Sequence, residues 1–336
     1  MARLAGFFCP TGQGDIFLRT SFRLKDKLFY GWVVVAAFFI ITTILWGIRF
    51  SFGVFFKSIE SNFNLTRATT SAVFSVYGAL GSAFVVLAGW ALDKYGPKII
   101  VLLMGLFTGL SLLLTSQTNS TWQLFVTYSL LFALGSSSVY VATMSTILKW
   151  FDKKRGLALG IAGAGAGLGM VVMAPLATYL ITSFDWRTAF MVLGLISWLT
   201  VIPVSRLLKK NPQEIGALPD GLKSDSINTP LQKPTIEDNS LQWAGLSLLQ
   251  AFRTRSFWVI LFTLMFIAST IFLVLTHIVP HATDIGFSAV EAATVVSMIG
   301  GTSIAGRVLM GAVSDKIGSK ATAIICALLQ AGALIW

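Results

Sequence analysis

Charged residues and cysteines are scarce in this sequence. Asp, Glu, Lys and Arg make up 12% of its 336 residues, whereas about a quarter of an average soluble domain is charged. Hydrophobic residues account for 55%, and a soluble protein of this length needs more polar surface than the remainder supplies. This composition excludes an ordinary soluble enzyme and a disordered chain. Two cysteines, Cys9 and Cys326, are too few and too far apart for a disulfide framework or a metal site.

The sequence also lacks the residue sets that catalysis requires. It has no nucleophile–base set, no metal-ligand cluster and no phosphate-binding loop. The two histidines, His277 and His281, fall together at one end of an apolar segment. We therefore predict neither an enzyme nor a bound metal or cofactor.

What the sequence does contain is a series of long apolar segments. A membrane-spanning helix needs roughly 20 mostly apolar residues, and nine segments qualify or nearly do. They are too long for buried strands, and glycine and proline within them are normal for membrane helices. We therefore predict an all-α, multi-pass membrane protein with spans at 31–56, 70–92, 99–116, 122–148, 156–182, 188–208, 256–279, 288–313 and 321–336.

The net charge of +11 would also suit a nucleic-acid-binding protein, but the positions of the basic residues predict membrane orientation instead. If the N-terminus is cytoplasmic, 20 of the 25 Lys and Arg residues fall on the inner side, and Lys57, Arg67 and Arg187 fall outside. Cytoplasmic loops of multi-pass proteins carry such an excess of basic residues. We predict a protein of the plasma (cell inner) membrane with a cytoplasmic N-terminus, in contact with the lipid bilayer and not with nucleic acid.

A polar linker divides the chain into two parts. Segment 209–240 contains four prolines, which favour loop structure, and six predicted spans precede it. After it, 241–252 suits either a helix on the inner membrane surface or a plain lead-in to span 7. The predicted organisation is a cytoplasmic N-terminal segment (1–30), a six-helix half (31–208), a cytoplasmic central loop (209–255) and a partial second half (256–336).

The two halves carry matching motifs, offset by 222 residues. Gly89-Trp-Ala-Leu-Asp-Lys-Tyr-Gly-Pro-Lys98 closes span 2, and Gly311-Ala-Val-Ser-Asp-Lys-Ile-Gly-Ser-Lys320 closes span 8. Glycine on a span lets helices approach closely, glycine in the turn permits a tight backbone, and the acid can pair with a cation or cap a helix. Such charges can hold one conformation and release in another; a static turn with solvated charges is the alternative. The predicted gating residues are Gly89, Asp93, Lys94, Gly96, Lys98, Gly311, Asp315, Lys316, Gly318 and Lys320.

These motifs resemble the signature loop of the major facilitator superfamily, Gly-x-x-x-Asp-Arg/Lys-x-Gly-x-Arg/Lys, and the resemblance covers the chain from Tyr30 onward. It implies two pseudo-symmetric six-helix halves around a central loop, with a binding site near the midplane between the halves. Because such proteins have twelve spans and nine are predicted here, we expect a C-terminally truncated sequence whose second half is incomplete and lacks spans 10–12.

Shorter stretches resemble the monocarboxylate transporter and oxalate/formate antiporter branch of that superfamily. The branch resemblance implies a secondary transporter of small organic anions, mono- or dicarboxylates, by alternating access. It implies antiport or symport, with a counter-anion or a proton as the coupled species. A transporter-like membrane sensor that binds without turnover is the alternative. The stretches are 30–33, 51–56, 149–156, 185–190 and Gly306-Arg307.

Arg307 in span 8 is the foremost candidate substrate ligand. It lies eight residues before Asp315, so about 12 Å deeper in the membrane if helical. An intramembrane arginine is costly and marks a functional site by default, and its planar guanidinium suits a carboxylate. In the resembled family an arginine at this motif position binds the substrate carboxylate. Snorkelling of the side chain to the inner surface is the alternative.

Three further residues are candidates for binding or coupling. Arg49 in span 1 lies about 12 Å below the outer boundary, near the depth of a cation in monocarboxylate transporters, with outward snorkelling as the alternative. Tyr140 in span 4 offers a hydroxyl donor to substrate, or packs. His277 is a possible proton-coupling group, or an interfacial anchor. Ser303 stands one turn before Arg307, where proton-coupled carriers of the branch have an aspartate; exchange of one anion for another needs no such acid.

Span 5 is rich in glycine, and Lys149 precedes it. Small residues at a spacing of four permit near backbone contact between helices. This pattern suits a rocking interface between the halves, and plain tight packing is equally compatible. Lys149 is expected to be an inner-surface anchor. The glycines are Gly156, Gly160, Gly163, Gly165, Gly167 and Gly169.

Overall fold

A computed structural model describes residues 29–215, 220, 250 and 252–335. Every regular element in this part of the chain is helical, which confirms the predicted all-α class. Most of the predicted N-terminal segment and most of the central loop, including nearly all of 241–252, lie outside the described residues.

The helices follow the predicted spans, with three irregularities. A turn at Ser51 divides span 1 into two helices. Span 4 contains a π-helical stretch at Phe125–Leu131 and a turn at Ser137 and Ser138. The first part of the central loop forms a 3-10 turn at Pro212–Ile215. The helix bounds are α1 Tyr30–Phe50, α2 Phe52–Phe63, α3 Arg67–Tyr95, α4 Pro97–Ser116, α5 Thr121–Leu124, α6 Phe132–Ser136, α7 Val139–Trp150, α8 Arg155–Ser183, α9 Trp186–Ser205, α10 Arg255–Asp284, α11 Ala289–Ile317 and α12 Ser319–Ile335.

Within residues 29–215 and 252–335, seven helical stretches are long and apolar enough to cross a membrane, judged by length and composition. They correspond to predicted spans 1 to 6 and to span 8. Predicted spans 7 and 9 lie on α10 and α12, whose described apolar stretches, Arg255–Ile271 and Ser319–Ile335, are shorter. All nine predicted segments are therefore helical, and seven of them satisfy the length and hydropathy expected of a spanning helix.

Side-chain caps fix where several helices begin. The Thr66 side chain caps α3, and Ser288 and Glu291 form a capping box at the start of α11. Asp185 caps α9 by accepting a hydrogen bond of 2.7 Å from the Thr188 N–H. Hydrogen bonds from the side chain and backbone of Thr188 lower the pKa of the Asp185 carboxyl, because they stabilise its charged form. Each capping residue's side chain accepts a hydrogen bond from an N–H group in the first turn, so the helix begins directly after the capping residue.

The buried core lies among the helices that precede the central loop. α1 packs along α8, and α4 packs along α9. Between them, large aromatic side chains are almost fully buried: Phe55 stacks on Phe190 with a ring-centroid distance of 3.9 Å, and Tyr128 of the π-helical stretch lies 4.9 Å from Phe52. Burial of such rings contributes strongly to stability, so these helices provide the rigid body on which the candidate site is built.

Arg187 connects three elements at the predicted outer end of this body. Its guanidinium donates hydrogen bonds to the Asn62 side chain, the Thr118 carbonyl and the Asn119 side chain, at 2.8 to 3.2 Å. It also lies over the ring of Trp186, 4.4 Å from the centroid. One side chain therefore connects α2, the loop after α4 and the start of α9.

We expect Arg187→Ala to lower the stability of the protein by about 1–3 kcal/mol, because hydrogen bonds from a charged donor contribute about this much. The measurement is the apparent melting temperature by fluorescence-detected size exclusion in detergent. Arg67→Ala is the matched control, since Arg67 is also a predicted outer-loop arginine and is exposed. Equal melting temperatures for the two variants would show that the three contacts are energetically unimportant.

Candidate functional site

The two predicted halves meet where α8 packs against α11, the most extensive helix–helix contact in the described part of the chain. The helices run antiparallel, and glycines bring their backbones together. A Cβ atom at Gly160 would lie 2.5 Å from the Arg307 carbonyl oxygen, and one at Gly167 would lie 2.5 Å from the Gly300 carbonyl oxygen. No larger residue fits at these positions without moving the helices, so Gly160 and Gly167 serve this contact. Two other glycines of span 5, Gly165 and Gly169, lie instead against α1.

Arg307 lies within this contact region. The helix is continuous from Ala289 to Ile317, so the predicted distance of about 12 Å between Arg307 and the level of Asp315 follows from its rise. The Arg307 backbone touches α8, while its Nη1 atom lies 3.5 Å from the position of a Cβ at Gly163. The side chain is exposed. The structure thus places a guanidinium beside the backbone of the opposite half, where it is open to a ligand.

Tyr140, a second predicted substrate residue, is near Arg307. It lies on α7 with 55% of its surface exposed, and its hydroxyl is close enough to the Arg307 guanidinium for an electrostatic interaction. The two residues are 167 positions apart in the sequence. A hydroxyl and a guanidinium therefore share one neighbourhood between α7, α8 and α11.

Arg49 lies in a different environment. It is partly buried near the end of α1, with its guanidinium carbon 4.7 Å from the ring centroid of Trp46 and 5.3 Å from that of Tyr77. It also interacts electrostatically with Tyr128. Aromatic faces stabilise a cation at such distances. The structure thus places Arg49 among aromatic side chains of the first half.

Two positions bear on coupling: His277, the predicted coupling candidate, and Ser303, which stands where proton-coupled carriers of the resembled branch have an aspartate. His277 lies on α10, but its side chain is outside the described part of the structure. Ser303 donates a hydrogen bond of 3.1 Å to the Gly300 carbonyl on its own helix and faces Gly167 of α8. The position where the resemblance would place an aspartate therefore holds a small hydroxyl that contributes to the α8–α11 contact.

The second-half motif reaches across to the first half through Asp315. One carboxylate oxygen accepts a hydrogen bond from the Gly156 N–H at 2.6 Å, and the other accepts one from the Leu157 N–H at 2.8 Å. These are free amides of the first turn of α8, and the partial positive charge of a helix N-terminus favours a carboxylate there. Gly311 lies against Gly156 in the same place, so close that a Cβ would clash with the Gly156 carbonyl.

The first-half motif contacts its own half and the start of the central loop. The Asp93 carboxylate pairs with Lys149 at 3.9 Å, and the Asp93 carbonyl accepts a hydrogen bond from the Lys210 ammonium. Lys94 lies over the ring of Trp90, 5.2 Å from the centroid. Lys149 is thus the ion-pair partner of a motif residue in addition to lying at the predicted inner boundary, a role that its sequence position does not indicate.

The glycines of the two motifs are alike in the turn but differ on the helix. Gly96 and Gly318 have φ values of 81° and 87°, a region that favours glycine, so both turns have the predicted geometry. Gly311 contacts α8, whereas the nearest atom to a Cβ at Gly89 would be Val141 Cγ1 at 4.0 Å. Close approach is therefore observed at one motif only among the described helices. The remaining predicted gating residues, Lys98, Lys316 and Lys320, are exposed.

Comparisons with known proteins agree with this arrangement. The chain is 27% identical over 318 residues to monocarboxylate transporter 12 of Xenopus laevis, covering 90% of this chain and 66% of that protein. It is 28% identical over 289 residues to monocarboxylate transporter 13 of Bos taurus, covering 86% and 62%. The chain thus spans slightly less than two thirds of the length of these relatives.

A solved structure shows the same fold. It is a bacterial homologue of the human lysosomal transporter Spinster, in an inward-facing and unoccupied conformation, with a TM-score of 0.56, 19% identity, and coverage of 86% of this chain and 61% of that one. The sequence profile of the Major Facilitator Superfamily matches residues 30–336, nearly the whole chain. This multi-pass membrane protein therefore belongs to the Major Facilitator Superfamily.

Proposed function

We propose that the protein is a secondary transporter that moves small carboxylate anions across the membrane by alternating access. The observation that carries the proposal is Arg307, an exposed guanidinium within a spanning helix and beside the contact between the two halves. An arginine within a spanning helix is costly and is kept where function requires it. The relatives named above are monocarboxylate transporters, which supports a carboxylate as the substrate.

Arg307 and Tyr140 are the proposed substrate ligands. The guanidinium would hold the carboxylate through two parallel N–H donors, and the Tyr140 hydroxyl would donate a further hydrogen bond to the same anion. Arg49, embedded among aromatic rings of the first half, would attract the anion from the other side of the membrane midplane. A monocarboxylate needs one of these cations, whereas a dicarboxylate can use both.

The contact between α8 and α11 is the proposed inner gate, defined by Gly156, Gly160, Gly311 and Asp315. When the halves separate at this side, the hydrogen bonds from the Gly156 and Leu157 amides to Asp315 must break. The carboxylate therefore acts as a latch whose strength sets the balance between the closed and open states of the inner side. The ion pair between Asp93 and Lys149 would influence the same balance from within the first half.

The basic residues support a cytoplasmic N-terminus and location in the plasma membrane, with the proposed gate facing the cytoplasm. Coupling by anion exchange is favoured over proton symport, because no acidic residue lies deep in a predicted span and Ser303 carries no titratable group. Exchange requires only that the loaded carrier reorients more readily than the empty one.

Counterflow in liposomes tests the proposal. Protein reconstituted into vesicles that are preloaded with unlabelled lactate or oxalate should transiently accumulate the same labelled anion from outside. A sensor that binds without turnover would bind the label but show no accumulation above protein-free vesicles. Labelled glucose is the control for leakage. Stimulation by internal anion without any imposed pH difference would support exchange, whereas accumulation that requires a proton gradient would support symport.

A further inference from the structure

The loop between α7 and α8 is held by two carboxylates from different parts of the chain. Asp220 of the central loop accepts hydrogen bonds from the N–H groups of Asp152 and Lys153, at 3.1 and 2.8 Å, through a single oxygen. Asp315 accepts from a second pair of amides three residues further along, those of Gly156 and Leu157 in the first turn of α8. The loop therefore presents four amides to two acids, one before the helix begins and one at its first turn.

The conformation and the charge of the loop between α7 and α8 favour the binding of these two carboxylates. Arg155 forms an ion pair of 2.7 Å with Asp152 and donates a hydrogen bond of 3.0 Å from Nε to the Phe151 carbonyl, which closes the turn on itself. Lys153, Lys154 and Arg155 give the loop a positive charge, and this charge attracts both carboxylates.

The backbone at Asp220 is itself adapted to this contact. Its φ of 59° lies in the left-handed region, which aspartate tolerates better than most residues. The residue is partly buried, and its second carboxylate oxygen, Oδ1, is inaccessible and makes no hydrogen bond within the described structure. Because one carboxylate oxygen has lost its water without gaining a hydrogen bond, the free energy of the contact depends on the two amides that bind the other oxygen.

We infer that Asp220 is a positioning residue of the inner gate: it keeps the loop between α7 and α8 in the conformation that offers the Gly156 and Leu157 amides to Asp315. The inference rests on the gate described under Proposed function. The Asp315 contact crosses between the halves and must break when the inner side opens, whereas the Asp220 contact joins two segments that flank α8 and α9. Asp220 therefore keeps the Gly156 and Leu157 amides in place while the Asp315 contact breaks and forms again.

Accessibility of a single cysteine can measure gate opening. Ser303 faces Gly167 of α8, so Ser303→Cys, in a chain whose Cys9 and Cys326 are replaced by serine, places a thiol between the two gate helices. In inside-out vesicles, the labelling rate of this thiol by a membrane-impermeant maleimide reports how often the inner side opens to water. The reading does not depend on knowing the transported anion.

We expect Asp315→Asn to raise the labelling rate roughly tenfold, because it weakens charge-assisted hydrogen bonds. Asp220→Gly, which removes the carboxylate while keeping the left-handed backbone unstrained, should raise the rate about threefold. In a protein that already carries Asp315→Asn, Asp220→Gly should not raise the labelling rate further. The Gly156 and Leu157 amides that Asp220 positions then have no carboxylate at residue 315 to bind. Glu214→Gln is the matched control: it removes an exposed charge from the same loop and should leave the rate unchanged.

The labelling rates of these variants distinguish a failure of the inference about Asp220 from a failure of the gate proposal. If Asp315→Asn leaves the rate unchanged, the gate proposal fails and the role of Asp220 fails with it. If Asp315→Asn raises the rate but Asp220→Gly does not, the inference about Asp220 alone is wrong. Equal factors for Asp220→Gly in both backgrounds would show a merely structural role and also overturn it. Asp220→Asn, which keeps an acceptor oxygen and the backbone preference, provides the same comparison if the glycine variant folds poorly.

Discussion

Arg307→Ala is expected to reduce carboxylate uptake by about 10- to 150-fold in kcat/KM, because hydrogen bonds between a carboxylate and a charged donor contribute about 1.5–3 kcal/mol. Arg307→Lys should be intermediate, since a lysine keeps the charge but loses the planar fork that matches a carboxylate. The measurement is the initial rate of labelled lactate and oxalate uptake in proteoliposomes. A fall in kcat, beyond any rise in KM, would indicate that the guanidinium acts during translocation as well as in binding.

The alternative for Arg307 is an anchoring role at the inner surface, and Arg206 supplies the matched control. Arg206 is exposed at the end of α9, at the predicted inner boundary where snorkelling arginines are expected. Arg206→Ala should change uptake by less than about twofold. If Arg307→Ala behaved like Arg206→Ala for every carboxylate tested, Arg307 would be an anchor and the substrate site would lie elsewhere.

The helices were predictable because their signal is local. A spanning helix is recorded in a continuous run of apolar residues, so all nine segments could be placed without knowing what packs against them. The turns at Gly96 and Gly318 were also predictable, since a ten-residue motif that occurs twice specifies the same backbone geometry twice. By contrast, the apolar pattern runs without interruption through the break at Ser51 and the π-helical stretch at Phe125–Leu131, so it predicts neither.

The candidate site was predictable in its chemistry but not in its assembly. The sequence indicates that an intramembrane arginine and a tyrosine suit an anion, but only the fold shows that Arg307 and Tyr140 are neighbours whereas Arg49 lies among aromatic rings. Likewise, the ion pair between Asp93 and Lys149 joins residues that sequence reasoning treats separately. Proximity between distant segments depends on helix order in space, which the hydrophobic pattern does not record.

The internal repeat predicts that Gly89 and Gly311 both lie in close helix–helix contacts, and the structure shows this for Gly311 only among the described residues. The shared motif predicts the same role for Gly89 and Gly311, and they do occupy equivalent places at the end of a helix. Among the described residues, however, only Gly311 lies against a helix of the other half. An internal repeat specifies equivalent local structure, while the partner of each copy depends on which surface it faces. The two glycines are therefore a matched pair in sequence with unequal surroundings.

Gly311→Val should prevent the inner gate from closing, whereas Gly89→Val should have little effect. A Cβ at residue 311 would overlap the Gly156 carbonyl and lie 3.2 Å from the Gly160 Cα, and backbone cannot yield as a flexible side chain does. Overpacking of this kind costs about 1–3 kcal/mol, which shifts a two-state equilibrium by roughly 5- to 150-fold. Labelling of Ser303→Cys in inside-out vesicles should increase by that factor in the first variant and stay within about twofold of the parent in the second.

The comparison between these two variants distinguishes a gate from general helix packing. Both replace a glycine near the end of a spanning helix with the same β-branched residue, so their effects on helix propensity and membrane insertion are matched. Any difference in labelling therefore arises from what each position contacts. If the two variants open the inner side equally, the approach of Gly311 to α8 does not control the gate. If only Gly311→Val opens it, the close backbone contact between α8 and α11 is what holds the inner side shut, because at residue 311 the first added carbon meets the backbone of the opposite half.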